Sequence, residues 1–393
     1  MEERVSRLTG RLLDLLGPLF EFFTESPWAL HGKDPGACDF LAGNPQEMPI
    51  PEFVEALQRR AVPQNKDWYA YKFGEPGPPK IIGASLREQR GMPFEDEDVL
   101  ITTGAFAGLA ITMRAVLDPD DEVIFLSPPW FFYEAMIEAA GGKPVPIKLE
   151  PPKFELPVEE IAASITERTR AIIVNTPQNP TGRIYPAEDL KRLAGVLSEA
   201  SERNGRPIYQ ISDESYCRIV FDDREFPSPT EFYPNSFLIY TYGKTLLTPG
   251  QRLGYIALPP EMPDRERMRS ALLITQVASG WAIPTALMQH ALGDIEPLSI
   301  DVKHLQEKRD RMVEALRGFG YETTDPEGTF YIVVRSPDRD DRAFSNKLAE
   351  GGVYVLPGSL FELPGFFRIS ITANDEMIER SLPVFEKAFG GGG

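Results

Sequence analysis

The sequence predicts an α/β fold: a large three-layer domain with a mainly parallel sheet, followed by a smaller α+β domain. Two observations predict the large domain. Short apolar runs bounded by turn residues are typical of strands covered on both faces of a parallel sheet, and helix-length segments separate these runs. After about residue 290, a long charged helical segment, short apolar runs and a closing helical segment predict the smaller domain.

The individual elements follow from local patterns. Buried strands are predicted at 123–127, 171–175, 208–212 and 237–241. Helices are predicted at 107–117 and 186–204, the second of which ends at Gly205 because glycine favours the turn that stops a helix. The smaller domain has predicted helices at 300–316 and 375–389 and predicted strands at 329–334, 353–356 and 366–371.

The chain divides into three predicted parts. Residues 46–290 form the large domain and 291–393 the small one, whereas 1–45 form a segment that packs with the small domain or with a partner subunit. Apolar residues at helical spacing from Val5 to Leu15 predict an amphipathic helix in that segment. Acidic residues interrupt it and no small-residue cleavage site follows, so we expect no secretory signal and a cytoplasmic protein.

Composition excludes several function classes. The chain has 393 residues and a formal net charge of −18, which opposes binding to nucleic acid or to anionic membranes. Two cysteines and three histidines provide neither a disulfide framework nor the usual zinc motifs, so we expect no metal. No run approaches the roughly 20 apolar residues of a membrane span. The glycine-rich phosphate-binding and serine-hydrolase motifs are also absent.

Polar residues follow several predicted strands at the point where each strand ends, which is the edge where open α/β sheets bind ligands. The turn 102–106 presents backbone N–H groups at a helix N-terminus and so suits a phosphate, although a plain strand-to-helix turn is the alternative. The proline-rich turn 175–182 can hold an amide side chain in one orientation.

Three charged residues continue this pattern. Asp213 ends a strand within an apolar sheet and therefore needs a donor or a cation, unless it caps a helix. Lys244 ends the next strand, where apolar neighbours can make a lysine amine nucleophilic, although a lone lysine is usually a solvated charge. Arg252 follows eight residues later. The ordered combination is more specific than any one residue.

This combination resembles the class I/II aminotransferases, the aspartate-aminotransferase-like branch of pyridoxal-phosphate (PLP) enzymes of fold type I. The resemblance rests on Asn179-Pro180-Thr181-Gly182, on Asp213 with Tyr216 and on Lys244 with Arg252, and it extends from residue 41 to residue 370. It implies PLP as cofactor, a fold type I large domain, and transfer of an amino group between an L-amino acid and a 2-oxo acid.

The resemblance also implies a role for each matching residue. Lys244 forms the internal aldimine and moves the substrate proton, Asp213 pairs with the pyridine nitrogen, and Asn179 and Tyr216 bind the phenolic oxygen. The remaining implied contacts are Ala105, Phe106, Thr241 and Arg252 to the phosphate, Trp130 to the ring, Arg368 near Gly43 to the substrate carboxylate, and Tyr69 (less so Tyr71) to the phosphate from a neighbouring subunit. The last contact implies a homodimer. Position 215 is Ser where the family usually has a small apolar residue, so a polar contact is possible there.

Two alternatives remain open at this point. Carbon–sulfur lyases and aminocyclopropane-carboxylate synthases share every cofactor residue of the fold. A non-enzymatic sensor domain would require an N-terminal DNA-binding module, which we do not expect because the matching region begins at about residue 40 and the chain is acidic. Residues 272–287 offer no cation for a second substrate carboxylate, so we expect a neutral or aromatic amino acid, lined by apolar side chains: Phe22, Phe23, Trp28, Trp281 and Ile283.

Overall fold

The computed structural model describes residues 4–281 and 283–390. The helices are α1 Arg7–Glu25, α2 Pro27–His31, α3 Pro51–Ala61, α4 Gly77–Arg90, α5 Ala105–Val116, α6 Tyr133–Ala139, α7 Val158–Ser164, α8 Ala187–Asn204, α9 Tyr242–Thr245, α10 Arg265–Ala278, α11 Ala286–Ile295, α12 Val302–Phe319, α13 Asp341–Glu350 and α14 Asp375–Gly390. The strands are β1 Cys38–Asp39, β2 Val99–Thr102, β3 Glu122–Ser127, β4 Lys143–Lys148, β5 Thr169–Asn175, β6 Tyr209–Asp213, β7 Ser236–Thr241, β8 Gly254–Ala257, β9 Tyr331–Arg335, β10 Val353–Tyr354, β11 Leu356–Pro357 and β12 Phe366–Ser370.

The large sheet has the order β2-β8-β7-β6-β5-β3-β4, and every pairing in it is parallel except the two made by β8. Alternate residues of the central strands face opposite sides. Ile172 of β5 packs in a core with α8, whereas Ile173 packs in a second core with α5. Helices therefore cover both faces of a mainly parallel sheet, and the predicted three-layer α/β fold is confirmed.

Strands β1, β4 and β8 were not predicted, and β2 was predicted only as the strand that ends at the turn 102–106. β4 contains two prolines and pairs only with β3 at the edge of the sheet, where a missing N–H is tolerated. Its side chains are partly exposed, so it lacks the continuous apolar run of a buried strand. β8 has only four residues, which is too short for periodicity to identify.

The C-terminal part is built on the antiparallel sheet β11-β12-β9, which packs with α12, α13 and α14 around a separate core. β1 pairs in parallel with β10 and so joins the N-terminal segment to this part. α2 contacts α13, whereas α1 lies on α6 beside the large sheet, where Arg11 Nε and Glu138 Oε2 are 2.7 Å apart. None of the described helices combines the length and apolar character that crossing a bilayer requires.

Gly254 of β8 should tolerate no side chain. It pairs with Thr102 on one side and Thr241 on the other, and an added Cβ would lie 2.3 Å from the Tyr240 carbonyl oxygen and 2.9 Å from Cα of Gly104. Because backbone atoms block the space, Gly254→Ala should lower the free energy of unfolding by about 2–3 kcal/mol in denaturant titration.

The matched control is Gly195→Ala in the middle of α8, where nothing lies within 4 Å of the added carbon. This substitution should raise stability by about 0.5–1 kcal/mol because alanine favours the helix. Equal effects of the two substitutions would contradict the close approach of β8 to the turn before α5.

Candidate active site

A cavity of about 230 Å³ lies at the C-terminal ends of β5, β6 and β7. Nine of the sequence-predicted residues line it: Ala105, Phe106, Trp130, Asn179, Asp213, Tyr216, Thr241, Lys244 and Arg252. The ends of adjacent parallel strands meet at one edge of a sheet, so residues that are far apart in sequence converge here. Asn175 and Asp213 are direct partners in the β5–β6 register.

Asp213 is buried and accepts hydrogen bonds on both carboxylate oxygens. The Tyr133 hydroxyl donates to Oδ2 at 2.6 Å, while the Ser215 hydroxyl and backbone N–H donate to Oδ1 at 2.5 and 3.2 Å. Burial raises the pKa of the Asp213 carboxyl, and the two hydroxyls and the charge of Lys244 oppose that rise. No α-helix begins at Asp213, so the alternative of a helix cap is excluded.

The turn after β5 is fixed by amide hydrogen bonds. Asn175 Nδ2 donates to the Asp213 carbonyl at 2.8 Å, and its Oδ1 accepts from the Asn179 backbone N–H at 2.7 Å. Asn179 Oδ1 in turn accepts from Arg368 Nη1 at 3.0 Å. Arg368, on β12, is thereby joined to the large sheet, and its other terminal nitrogen donates to the Leu41 carbonyl at 3.1 Å.

Arg368 is a buried guanidinium without an acidic partner among the described residues. It lies 3.9 Å from the centre of the Tyr331 ring, its Nε has no hydrogen-bond partner there, and burial lowers its pKa. Gly43 has a φ of +61°, and a Cβ on it would lie 2.6 Å from the Tyr331 hydroxyl. Glycine therefore lets this chain segment approach the ring that supports Arg368.

Hydrogen-bond donors suited to an anion surround Gly104. This residue has a φ of +82°, and a Cβ on it would lie 2.8 Å from Arg252 Nη2 and 3.4 Å from Thr241 Oγ1. The N–H groups of Ala105 and Phe106 belong to the first turn of α5, where no intrahelical acceptor exists. Arg252 is an exposed residue, but partial desolvation of its guanidinium lowers its pKa. Its Nη1 donates to the Pro249 carbonyl, and it has no acidic partner among the described residues.

Lys244 lies on α9, directly after β7. Its Nζ is 5.5 Å from the centre of the Tyr216 ring and 5.6 Å from that of Phe330. In the described part of the chain, this amine has no carboxylate within ion-pair distance. A hydrogen bond between the Tyr240 and Thr245 hydroxyls, whose oxygens are 2.5 Å apart, joins β7 to α9.

Aromatic side chains form the remaining wall. Trp130 lies edge-on to Phe106, Phe132 and Tyr133, with ring centres 5.0, 5.2 and 5.5 Å away. Phe132 lines the cavity although the sequence analysis did not select it. The residues expected to line a substrate pocket (Phe22, Phe23, Trp28, Trp281 and Ile283) do not line this cavity, and neither do Arg368 and Gly43, so the lining of the substrate pocket stays a prediction.

Tyr69 lies outside the cavity of its own chain. Its side chain is 53% exposed, its hydroxyl donates to the Ala61 carbonyl at 2.6 Å, and Tyr71 nearby is fully exposed. The contact implied for Tyr69 across a subunit boundary stays a prediction.

Comparisons with known proteins find similarity over most of the chain. The family model for aminotransferase class I and II matches residues 38–384. The chain is 31% identical to a probable aspartate/prephenate aminotransferase of Aquifex aeolicus (91% of this chain, 92% of the relative) and 32% identical to the aspartate/prephenate aminotransferase of Thermus thermophilus (89% and 90%).

Solved structures are similar over nearly the whole chain. An amino transferase from Eubacterium rectale superposes with a TM-score of 0.90 at 30% identity, covering 99% of both chains. Aspartate aminotransferase from Thermus thermophilus with maleate has a TM-score of 0.83 at 26% identity, covering 98% of this chain and 100% of the other.

Proposed function

Since this chain belongs to the class I and II aminotransferases, a family of PLP-dependent transaminases, we propose that it uses PLP to transfer an amino group between a neutral or aromatic L-amino acid and a 2-oxo acid. One observation supports the proposal most strongly. Two guanidiniums, the buried Arg368 and the exposed Arg252, lack acidic partners among the described residues, and Lys244 and Asp213 share a cavity with Arg252.

The cavity residues fit PLP by charge and by shape. Arg252 lines the cavity without an acidic partner among the described residues, so its guanidinium and the N–H groups at the start of α5 are suited to the phosphate dianion. The φ of Gly104 and the lack of a Cβ leave room for Arg252 beside these N–H groups. Asp213 would hold the proton on the ring nitrogen, Asn179 and Tyr216 would bind the phenolic oxygen, and Trp130 would face the ring. When bound, PLP supplies an electron sink for the charge that develops at the substrate's α carbon.

Of the chain's own residues, Arg368 would bind the substrate and Lys244 would transfer the proton. Arg368 would bind the substrate α-carboxylate through its planar fork, and its bond to Asn179 would fix the orientation of both side chains. Lys244 Nζ would take the proton from the substrate's α carbon and deliver it to the cofactor carbon that carries the amino nitrogen. Phe106, Trp130 and Phe132 would exclude water from the cavity and so strengthen these polar contacts.

The cavity lining also supports the substrate class. Among its described residues, the cations are Lys244 and Arg252, both of which have other proposed roles, so neither is left for a second carboxylate, and Phe132 offers aromatic surface. A second candidate is aspartate or prephenate, which the names of the two relatives mention. Similarity over about nine tenths of the chain favours it.

A substrate panel distinguishes the candidates. The protein loaded with PLP is given single L-amino acids and 2-oxoglutarate, and kcat/KM is measured from the keto acid identified by mass. We expect phenylalanine or leucine to exceed aspartate by at least about tenfold, since an unpaired buried carboxylate costs more than 1.4 kcal/mol. A preference for aspartate would contradict the proposed substrate class, and ammonia with a keto acid from the same molecule would indicate a lyase.

We further propose a homodimer in which Tyr69 reaches the partner's phosphate site. The segment 54–73 exposes several large apolar side chains, as a subunit interface would require: Val54, Val62, Tyr69, Tyr71 and Phe73. Tyr69→Phe should weaken PLP binding about tenfold, because it removes a hydrogen bond to a charged group, and Tyr71→Phe should not. A monomer by sedimentation that is fully active at nanomolar concentration would contradict this arrangement.

A further inference from the structure

Ser215 makes a contact that the implied family roles do not include. It is buried, it lines the cavity, and its hydroxyl donates to Asp213 Oδ1 at 2.5 Å while its backbone N–H donates to the same oxygen at 3.2 Å. Asp213 Oδ2 accepts from the Tyr133 hydroxyl at 2.6 Å. Protein groups therefore hold both oxygens of the carboxylate.

The surroundings of Asp213 are otherwise unfavourable to its charge. The side chain is almost completely buried, which favours the neutral acid. The titratable groups that face it are Tyr133 from α6, Lys244 from α9 and Tyr216 from the turn after β6. Of these, Lys244 acts through its charge alone, because no hydrogen bond joins it to Asp213 in the described part of the chain. The two hydroxyl donors are thus the main local stabilisation of the ionised form.

We propose that Ser215 is a positioning residue that keeps Asp213 ionised in the cofactor-free protein and leaves Oδ2 as the acceptor for a protonated ring nitrogen. This inference rests on the proposed function. A carboxylate offers about two acceptor sites on each oxygen. Two donors occupy Oδ1 and one occupies Oδ2, so the remaining capacity lies on Oδ2. The small apolar residue that the family usually has at this position could not donate the side-chain hydrogen bond that Ser215 makes to Oδ1.

The test measures binding of pyridoxamine 5′-phosphate to the cofactor-free protein by calorimetry. This probe forms no covalent bond with the protein. When its protonated ring nitrogen binds a neutral Asp213, one proton leaves the carboxyl group to solvent; when it binds an ionised Asp213, none does. The phosphate of the probe, with a second pKa of about 6, lowers affinity at low pH in every variant alike. A further fall, relative to the wild type, occurs only where Asp213 is protonated, and proton release is counted by repeating the titration in buffers of different ionisation enthalpy.

Ser215→Val and Ser215→Thr form the decisive pair, because they have nearly the same shape and differ in the hydroxyl. Between about pH 8 and pH 5.5, we expect the valine variant to lose about tenfold more affinity than the wild type, or about 1.4 kcal/mol, and to release additional protons. The threonine variant should behave as the wild type does. Ser215→Ala provides a second variant without the hydroxyl, should valine prevent folding.

Ser212→Ala is the matched control. The Ser212 hydroxyl donates to Glu214 Oε1 at 3.0 Å, so this substitution removes a serine–carboxylate bond at the same strand end but outside the cavity lining. It should leave the pH dependence of binding unchanged. Valine and threonine variants with the same pH dependence would overturn the inference, as would a loss of affinity in the valine variant that is equal at both pH values. A wild-type protein that does not bind the probe would instead refute the proposed function.

Discussion

Lys244→Ala is expected to lower the rate of amino-group transfer by about a thousandfold or more. The Lys244 amine is the only primary amine among the described residues that line the cavity, and it lies 5.5 and 5.6 Å from the ring centres of Tyr216 and Phe330. Removing it takes away both the nucleophile and the group that moves the substrate proton, each of which contributes orders of magnitude. The rate is measured as keto acid formed in a single turnover.

Lys153→Ala is the control for this substitution. Lys153 is a surface lysine, with 75% of its side chain exposed, and its removal should leave both rate and stability unchanged. The Lys244→Ala protein should still bind PLP through the phosphate contacts, so a loss of rate without a loss of folding is expected. Unchanged turnover in this variant would refute the role of Lys244.

Asp213→Asn is expected to lower kcat at least about tenfold while KM changes little. An amide cannot hold the proton on the ring nitrogen, and the loss falls on the transition state, where charge at the α carbon develops. Tenfold corresponds to about 1.4 kcal/mol, which is modest for a buried, charge-assisted contact. A near-wild-type kcat would mean that Asp213 is structural.

Stability should respond to the same substitution in a pH-dependent way. Burial raises the pKa of Asp213 in the folded protein, so the stability that its protonated form contributes is present at low pH and is lost as pH rises through the folded pKa. Asparagine carries no such penalty. The cofactor-free Asp213→Asn protein should therefore gain melting temperature relative to wild type on going from acidic to neutral pH.

Glu214→Gln is the matched control, because the two carboxylates are adjacent and both are buried. Glu214 faces away from the cavity and pairs with Arg90, with Oε2 and Nη2 2.6 Å apart. Its neutralisation leaves a buried guanidinium poorly compensated, so we expect a loss of about 3 kcal/mol in unfolding free energy and an almost unchanged kcat. Asp213→Asn should thus lower kcat, whereas Glu214→Gln should lower the free energy of unfolding.

The sequence predicted the part of the site that depends on strand ends. Asn179, Asp213 and Lys244 each follow a strand with a continuous apolar run, and parallel pairing brings such ends together without any knowledge of side-chain contacts. In the large sheet, the sequence missed an edge strand with prolines, β4, and a strand of four residues, β8. Both lie outside what periodicity can detect.

Contacts between distant elements could not be predicted. Tyr133 lies on α6, and its bond to Asp213 spans 80 residues of sequence without a motif that links them. Likewise, helical spacing predicts that Phe22 and Phe23 pack against another part of the protein, but it does not identify that part. In the structure, both residues pack against the core that Phe131 also contacts, and they do not line the cavity. Ser215 was noticed as a departure, but only the fold shows that its hydroxyl points to Oδ1.

The most direct test of the central claim follows the amino nitrogen itself. The purified protein, loaded with PLP, is mixed with the best amino acid of the panel carrying an isotope-labelled amino nitrogen and with an unlabelled 2-oxo acid, and the products are analysed by mass. We predict that the label appears in the amino acid formed from the 2-oxo acid, one nitrogen for each keto acid produced, and that Lys244→Ala abolishes this transfer. Release of the label as ammonia, or transfer that persists in Lys244→Ala, would contradict amino-group transfer at this site.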